Sequence, residues 1–267
     1  MTNDISLRSF TALDQVQDVD AYVRALEAFD EIPQLQELKR IARDMLKPGW
    51  SVLDVGCGFG LETVRLARIV GQAGRAAGID KSEEFIAQAK QRAAAAGLAI
   101  DYRAGDAQAL PYADATFDAV RAERLLIYLK DWDKAVAEMK RVARPGAPLA
   151  FIEPEFGTTT INLPDRALVR RAMAHEADTA VVESWLPGRL YYSLSDLGLR
   201  DVTVSTRVVL FPQDLAAIYF ADVGRNAARD GAISEAELSA WLTGIADLHK
   251  RGRLFGSVGY FLFTARR

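Results

Sequence analysis

Apolar positions recur along the middle of the chain with two different periods. Short β-branched and apolar runs alternate there with stretches whose apolar residues return every three or four positions. The first pattern predicts buried strands and the second amphipathic helices. Such alternation indicates βαβ units and therefore a parallel sheet with right-handed crossovers. The predicted strands are 51–55, 76–79, 100–103, 117–122 and 149–153, and the predicted helices are 60–70, 82–96 and 131–144.

The flanking regions read as mainly helical. Before residue 48, apolar residues fall on one face of each of two helices, namely Tyr22, Val23, Leu26 and Phe29 on the first and Leu35, Leu38, Ile41, Ala42 and Met45 on the second. After residue 156, strands are predicted at 202–211 and 259–265, and helices at 165–182, 190–197, 212–229 and 234–250. We therefore expect an α/β fold with a doubly wound, seven-stranded, mostly parallel sheet whose last strand is antiparallel. The N-terminal and inserted helices are expected to form a lid.

Composition narrows the possible partners. The 33 Lys and Arg residues nearly balance the 36 Asp and Glu residues, and no long basic block is present. Nucleic acid is therefore not expected as a partner, because its binding needs a clustered basic face. The single cysteine excludes an internal disulfide and a thiolate zinc site. Without a signal peptide or a run of about 18 apolar residues, we expect a soluble, cytoplasmic protein with no membrane partner.

A glycine-rich segment follows the first predicted strand. In VLDVGCGFG, Gly56, Gly58 and Gly60 form a GxGxG pattern between a strand and a helix. Glycines permit positive φ and let a ligand approach the backbone. The dinucleotide fingerprint GxGxxG would need Gly or Ala where this chain has Leu61, which weakens a nicotinamide or flavin interpretation. Asp54, just before the loop, suits a ligand that bears an ammonium group or another cation.

Carboxylates stand at the ends of the next two predicted strands. Asp80 ends the second strand, where its two oxygens suit the vicinal diol of a ribose. Asp106 ends the third strand, where it suits the exocyclic amine of adenine, with the Ala107 N–H directed to a ring nitrogen. Ligands of doubly wound sheets bind at the carboxyl ends of the strands, so the three strand ends predict one nucleoside site.

With these motifs, residues 52–154 resemble the Rossmann-like core of the class I S-adenosylmethionine-dependent methyltransferases. Within that family they are most similar to the branch of the ubiquinone and menaquinone C-methyltransferases. The resemblance implies S-adenosylmethionine as cofactor and S-adenosylhomocysteine as product, and we expect no metal. The glycines would line the methionine moiety, Asp80 would hold the ribose, and Asp106 and Ala107 the adenine. The full predicted cofactor set is Asp54, Gly56, Cys57, Gly58, Gly60, Asp80, Lys81, Asp106, Ala107 and Glu123.

Fewer residues are candidates for catalysis than for cofactor binding. Methyl transfer from a sulfonium depends mainly on alignment and exclusion of water, and a general base helps only if the acceptor must lose a proton. Arg124 and Tyr128 follow the fourth strand, and many relatives carry a histidine near the position of Tyr128. His175 and His249 are base candidates by their ordinary pKa, with a surface or structural role as the alternative. Glu153 and Glu155 end the fifth strand, either at the acceptor or as a solvated terminus.

The sequence therefore predicts a methyltransferase for a small, largely apolar organic acceptor. We expect a specialised metabolite or quinone-like compound, methylated on carbon or oxygen, and a monomeric or homodimeric enzyme. Residues 1–47 are interpreted as an N-terminal helical lid, 48–155 as the cofactor-binding core, and 156–267 as completion of the sheet with helical insertions that form the acceptor pocket. The alternatives are an RNA or protein methyltransferase, and a non-methylating protein that retains the cofactor pocket.

Overall fold

The computed structural model describes residues 19–267, so part of the predicted N-terminal lid, residues 1–18 and the side chain of Tyr22, lies outside the described residues. Strands and helices alternate through the middle of the chain, as the two periods predict. The strands are β1 Ser51–Val55, β2 Arg75–Asp80, β3 Asp101–Ala104, β4 Ala119–Glu123, β5 Pro148–Ile161, β6 Arg200–Leu210 and β7 Gly256–Arg266. The helices are α1 Val19–Asp30, α2 Pro33–Arg43, α3 Leu61–Val70, α4 Glu83–Ala95, α5 Trp132–Val142, α6 Arg166–Thr179, α7 Leu186–Asp196, α8 Gln213–Arg229 and α9 Glu235–Lys250.

The seven strands form one sheet in the order β3-β2-β1-β4-β5-β7-β6. The first five strands of this order pair in parallel. β7 is antiparallel to β5, because Arg267 N–H donates to the Ala147 carbonyl at one end while Asn162 N–H donates to the Phe255 carbonyl at the other. The predicted doubly wound sheet with an antiparallel last strand is confirmed.

Packing divides the chain into two units. The sheet unit comprises Glu37–Glu153, Leu186–Thr206 and Phe261–Arg267, and the helical unit comprises Pro154–Trp185, Arg207–Tyr260 and, of the described N-terminal residues, 19–36. In the sheet unit, four of the five residues of β1 are buried. Apolar side chains of α3, including Leu66 and Val70, pack in one cluster with Val52 of β1. A strand covered on both faces explains why β1 reads as a continuous apolar run around Asp54.

In the helical unit, buried polar contacts join the helices. The fully buried Trp241 of α9 donates its indole N–H to the Phe220 carbonyl of α8 at 2.7 Å. Gly224 makes room for that ring, since an added Cβ would lie 2.4 Å from it. The Tyr219 hydroxyl of α8 donates to Glu176 of α6 at 3.1 Å. Within residues 19–267, none of the helices combines the length and apolarity that crossing a bilayer requires.

Candidate functional site at the carboxyl ends of the strands

The glycine-rich loop leaves β1 and bonds to the end of β2. Gly56 and Cys57 both donate their N–H groups to the Ile79 carbonyl, at 2.8 and 3.0 Å. Gly56, Gly58 and Gly60 have φ of 71°, 52° and 82°, a region costly for residues with a Cβ. An added Cβ on Gly60 would lie 2.4 Å from the Tyr102 hydroxyl, whereas one on Gly58 would meet nothing within 4 Å. Gly60 is therefore required by internal packing, and Gly58 borders open space.

Asp80 connects this loop to the end of β2. Its Oδ2 accepts the Gly58 N–H at 2.8 Å and its Oδ1 accepts the Ser82 N–H at 2.9 Å. Burial raises the pKa of this carboxyl, and the hydrogen bonds from the Ser82 and Gly58 backbone offset part of the rise. A carboxylate has about four lone-pair positions, so two bonds leave acceptor capacity for a ligand. Lys81, also predicted to contact the cofactor, is exposed.

The end of β3 adjoins the same place. The Gly105 N–H donates to the Asp80 carbonyl at 2.9 Å, which places Asp106 and Ala107 next along the chain. Asp106 is exposed and its Oδ1 accepts the Gln108 N–H at 2.8 Å, whereas Ala107 is buried. The ends of β1, β2 and β3 therefore meet, as the sequence motifs require.

The segment after β4 packs against the glycine loop. Arg124 has φ of 47°, an uncommon conformation for a residue with a side chain. The Leu125 side chain covers Gly56 so closely that an added Cβ there would lie 3.0 Å from Leu125 Cδ1. Tyr128 follows in a short 3-10 helix and is half-buried. Arg124 and Tyr128 thus belong to the segment that borders the glycine loop.

A buried ion-pair network lies behind the loop. Lys39 of α2 lies 2.9 Å from Glu123, whose other oxygen lies 2.6 Å from Arg121. Arg121 also reaches Asp54 at 2.9 Å, and the Thr63 hydroxyl donates to that carboxylate at 2.7 Å. Burial alone would raise the pKa of Glu123, but Lys39 and Arg121 outweigh it and hold that pKa well below its ordinary value. Contacts of Asp54 and Glu123 with cofactor stay predictions, since both carboxylates have these partners inside the protein.

The sequence patterns did not predict that Lys39 and Arg121 belong to this network. A lysine in an amphipathic helix and an arginine in a strand both read as solvent-facing, although both are buried here. A usable signal was the alternation within β4, where Arg121 and Glu123 stand two residues apart and so share one face of the strand. Nothing in the local sequence indicates Lys39 as their partner.

The two predicted histidines contact aspartates, and Cys57 is buried. His175 pairs with Asp230 at 3.1 Å and His249 with Asp214 at 2.7 Å, all four residues lying in the helical unit. Burial, followed by the charges of Asp54 and Asp80, raises the pKa of the Cys57 thiol well above its usual value. That shift agrees with the small-residue interpretation of Cys57, because the reactive form of cysteine is the thiolate.

S-adenosylmethionine fits the residues at these strand ends. The absent side chain of Gly58 leaves a space that a Cβ would enter, directly beside the loop backbone. Asp80 borders this loop through its bond to the Gly58 N–H, and Asp106 follows at the adjoining strand end. Open space beside glycine backbone, with two carboxylates at the adjoining strand ends, suits a nucleoside that carries a vicinal diol and an amine.

Both this part of the sequence and the chain as a whole are similar to known proteins. A family model described as a methyltransferase domain matches residues 53–151. The uncharacterized 37.1 kDa protein of transposon TN4556 in Streptomyces fradiae is 32% identical over 256 residues, which cover 94% of this chain and 72% of that protein. A demethylmenaquinone methyltransferase of Shouchella clausii is 35% identical over 154 residues, 55% of this chain and 66% of that enzyme. The chain belongs to the class I S-adenosylmethionine-dependent methyltransferases.

The resemblance that the motifs indicate is thereby confirmed, including its likeness to the quinone methyltransferases. The methyltransferase also shares its fold with a solved [4+2]-cyclase, SpnF, with a TM-score of 0.55 and 26% identity over 87% of this chain and 81% of that one. The alignment with the demethylmenaquinone enzyme covers just under two thirds of that enzyme's length. Membership of the family therefore leaves the acceptor to be argued separately.

Proposed function

We propose that this methyltransferase transfers a methyl group from S-adenosylmethionine to a small, largely apolar organic acceptor, a quinone-like compound or specialised metabolite, on carbon or oxygen. The observation that carries the proposal is the open space at Gly58 beside Asp80. The relatedness to a demethylmenaquinone methyltransferase supports a small-molecule acceptor. The near balance of charge does not favour an RNA acceptor.

In this proposal, different residues of the site contact different parts of the cofactor. Gly56, Gly58 and Gly60 border the methionine moiety, Asp80 binds the ribose hydroxyls, and Asp106 with Ala107 binds the adenine. When bound, the cofactor supplies an electrophilic methyl group on a sulfonium. The protein's part is to align the two reactants and to exclude water.

Proton transfer depends on the acceptor atom. An acceptor that must lose a proton needs a base within hydrogen-bonding reach. Tyr128 and Arg124 are our first candidates to orient the acceptor, because their segment borders the glycine loop. The histidines are candidates for the base, with Asp230 orienting His175 and Asp214 orienting His249.

Replacing Gly58 with alanine is expected to weaken binding of S-adenosylhomocysteine at least about tenfold, because the new methyl group enters the space assigned to the ligand. Gly97→Ala is the matched control, since Gly97 also has positive φ, 67°, and nothing within 4 Å of an added Cβ. Both variants are expected to lose about 1 kcal/mol of stability from backbone strain. Calorimetric titration and urea unfolding provide the two measurements. Equal affinity of the two variants would contradict the placement of the cofactor.

A methyl-transfer assay tests the activity itself. With radiolabelled donor and a panel of metabolites, we expect label in apolar, quinone-like or aromatic acceptors, and mass spectrometry should show the gain of one methylene unit. A preference for highly charged acceptors would contradict the proposed acceptor class.

The likeness to a [4+2]-cyclase favours a second candidate, a protein that keeps the cofactor pocket and catalyses a reaction without methyl transfer. Calorimetry would then show cofactor binding while no acceptor gains label.

A further inference from the structure

Glu153 is a fully buried carboxyl at the carboxyl end of the parallel part of the sheet. Its Oε1 accepts the N–H groups of Leu125 at 3.1 Å and Leu126 at 2.9 Å. The side chain therefore fastens the first residues after β4 to a neighbouring strand. A solvated strand terminus, one of the two roles considered from the sequence, is wrong for Glu153, because its side chain is shielded from water.

The second oxygen of this carboxyl has different surroundings. Oε2 is buried and has no hydrogen-bonding partner within residues 19–267. An ionised oxygen in that position would be a buried charge without a partner, which proteins avoid by protonation. Among the described residues, the charge of Glu123 raises the pKa of this carboxyl and the charge of Arg124 lowers it. Burial raises the pKa of Glu153 to about 8, although the two amide hydrogen bonds lower it.

The segment that Glu153 fastens is strained and touches the glycine loop. Arg124, directly before the two bonded amides, has φ of 47°. Such a conformation persists only where surrounding contacts enforce it. Leu125, directly after it, packs on Gly56. A chain of contacts thus runs from Glu153 through the Leu125 backbone and side chain to the loop that borders the proposed cofactor.

We propose that Glu153 is a positioning residue that, as a neutral carboxylic acid, holds the turn at Arg124 and so keeps Leu125 against the glycine loop in its cofactor-binding shape. The inference rests on the proposed function, because it assigns the cofactor to that loop. Ionisation of Glu153 puts part of the carboxylate charge on Oε2, which is buried and has no hydrogen-bonding partner among the described residues, and so favours conformations in which water reaches it. Cofactor affinity then follows the neutral fraction of Glu153.

The test is the affinity for S-adenosylhomocysteine measured by calorimetry between pH 7 and pH 9. For the unmodified protein we expect a loss of up to about tenfold over this range, since the neutral fraction falls by that factor around a pKa of about 8. Glu153→Gln keeps an acceptor oxygen and has no titratable proton, so its affinity should stay flat and within about threefold of the unmodified protein at pH 7. Glu153→Met removes both hydrogen bonds and should lose about tenfold at pH 7.

Glu138→Gln is the matched control. Glu138 also accepts a backbone N–H, that of Leu110 at 2.8 Å, but hydrogen bonding to Arg141 lowers its pKa. This variant should keep the pH dependence of the unmodified protein. A Glu153→Gln variant with that same pH dependence, or a folded Glu153→Met variant with unchanged affinity, would overturn the proposal.

Hydrogen exchange tests the role of Glu153 in the turn independently of cofactor binding. The Leu125 and Leu126 amides should be protected in the unmodified protein and in Glu153→Gln, and should exchange faster in Glu153→Met. If the unmodified protein binds no S-adenosylhomocysteine, the proposed function fails. The exchange pattern then still decides whether Glu153 holds the turn, because equal protection in all three proteins would contradict it.

Discussion

Arg121→Met should destabilise the fold by about 3–5 kcal/mol, because it removes a shared partner of two buried carboxylates. Arg121 contacts both Asp54 and Glu123, and Lys39 remains as a counter-charge for Glu123 alone. Methionine has a similar length and fills the site without charge. Urea unfolding at pH 7 measures the loss.

The matched control is Arg144→Met. Arg144 pairs with Asp118 but is half exposed, so its loss should cost no more than about 1 kcal/mol. An equal cost for both variants would show that the buried network contributes no more than a surface pair.

The cost of Arg121→Met should shrink in acid. The pKa of Glu123 is depressed in the fold, so its stabilising contribution is present above its ordinary value of 4.5 and is lost as pH falls below it. Removal of Arg121 brings the pKa of Glu123 in the folded protein closer to its ordinary value. The variant therefore loses less free energy of unfolding on acidification than the unmodified protein does. A stability difference that stays constant as the pH falls from 7 to about 3 would contradict this account, because the contribution of Glu123 is lost only below its ordinary pKa.

Asp80→Ala is expected to weaken binding of S-adenosylmethionine at least about tenfold, because two charge-assisted hydrogen bonds to the ribose are lost. The structure adds a second reason: the same carboxylate accepts the Gly58 N–H and so shapes the glycine loop. Asp106→Ala is the comparison, with a smaller expected loss, since the backbone at Ala107 would still recognise the adenine. Calorimetry is the measurement, and unchanged affinity of Asp80→Ala would remove Asp80 from the site.

The length of β5 could not be predicted from the local sequence pattern. β5 runs to Ile161, although its apolar run predicts an end at residue 153. The extension pairs with β7, as the Gly259 N–H to Thr158 hydroxyl bond of 2.7 Å indicates. Residues 157–160 are Gly-Thr-Thr-Thr, which carry no apolar alternation. A distant partner strand therefore decides the length of β5.

The sequence by itself determined the order of strands and helices, the glycine loop and the acidic residues at two strand ends. These features are local, because glycine spacing and strand ends depend on neighbouring residues alone. Only the tertiary structure decided that Lys39 and Arg121 neutralise Asp54 and Glu123, and that Glu153 holds the Leu125 and Leu126 amides. The energy of such contacts depends on distance through space and on the exclusion of water, and neither can be read from the order of residues along the chain.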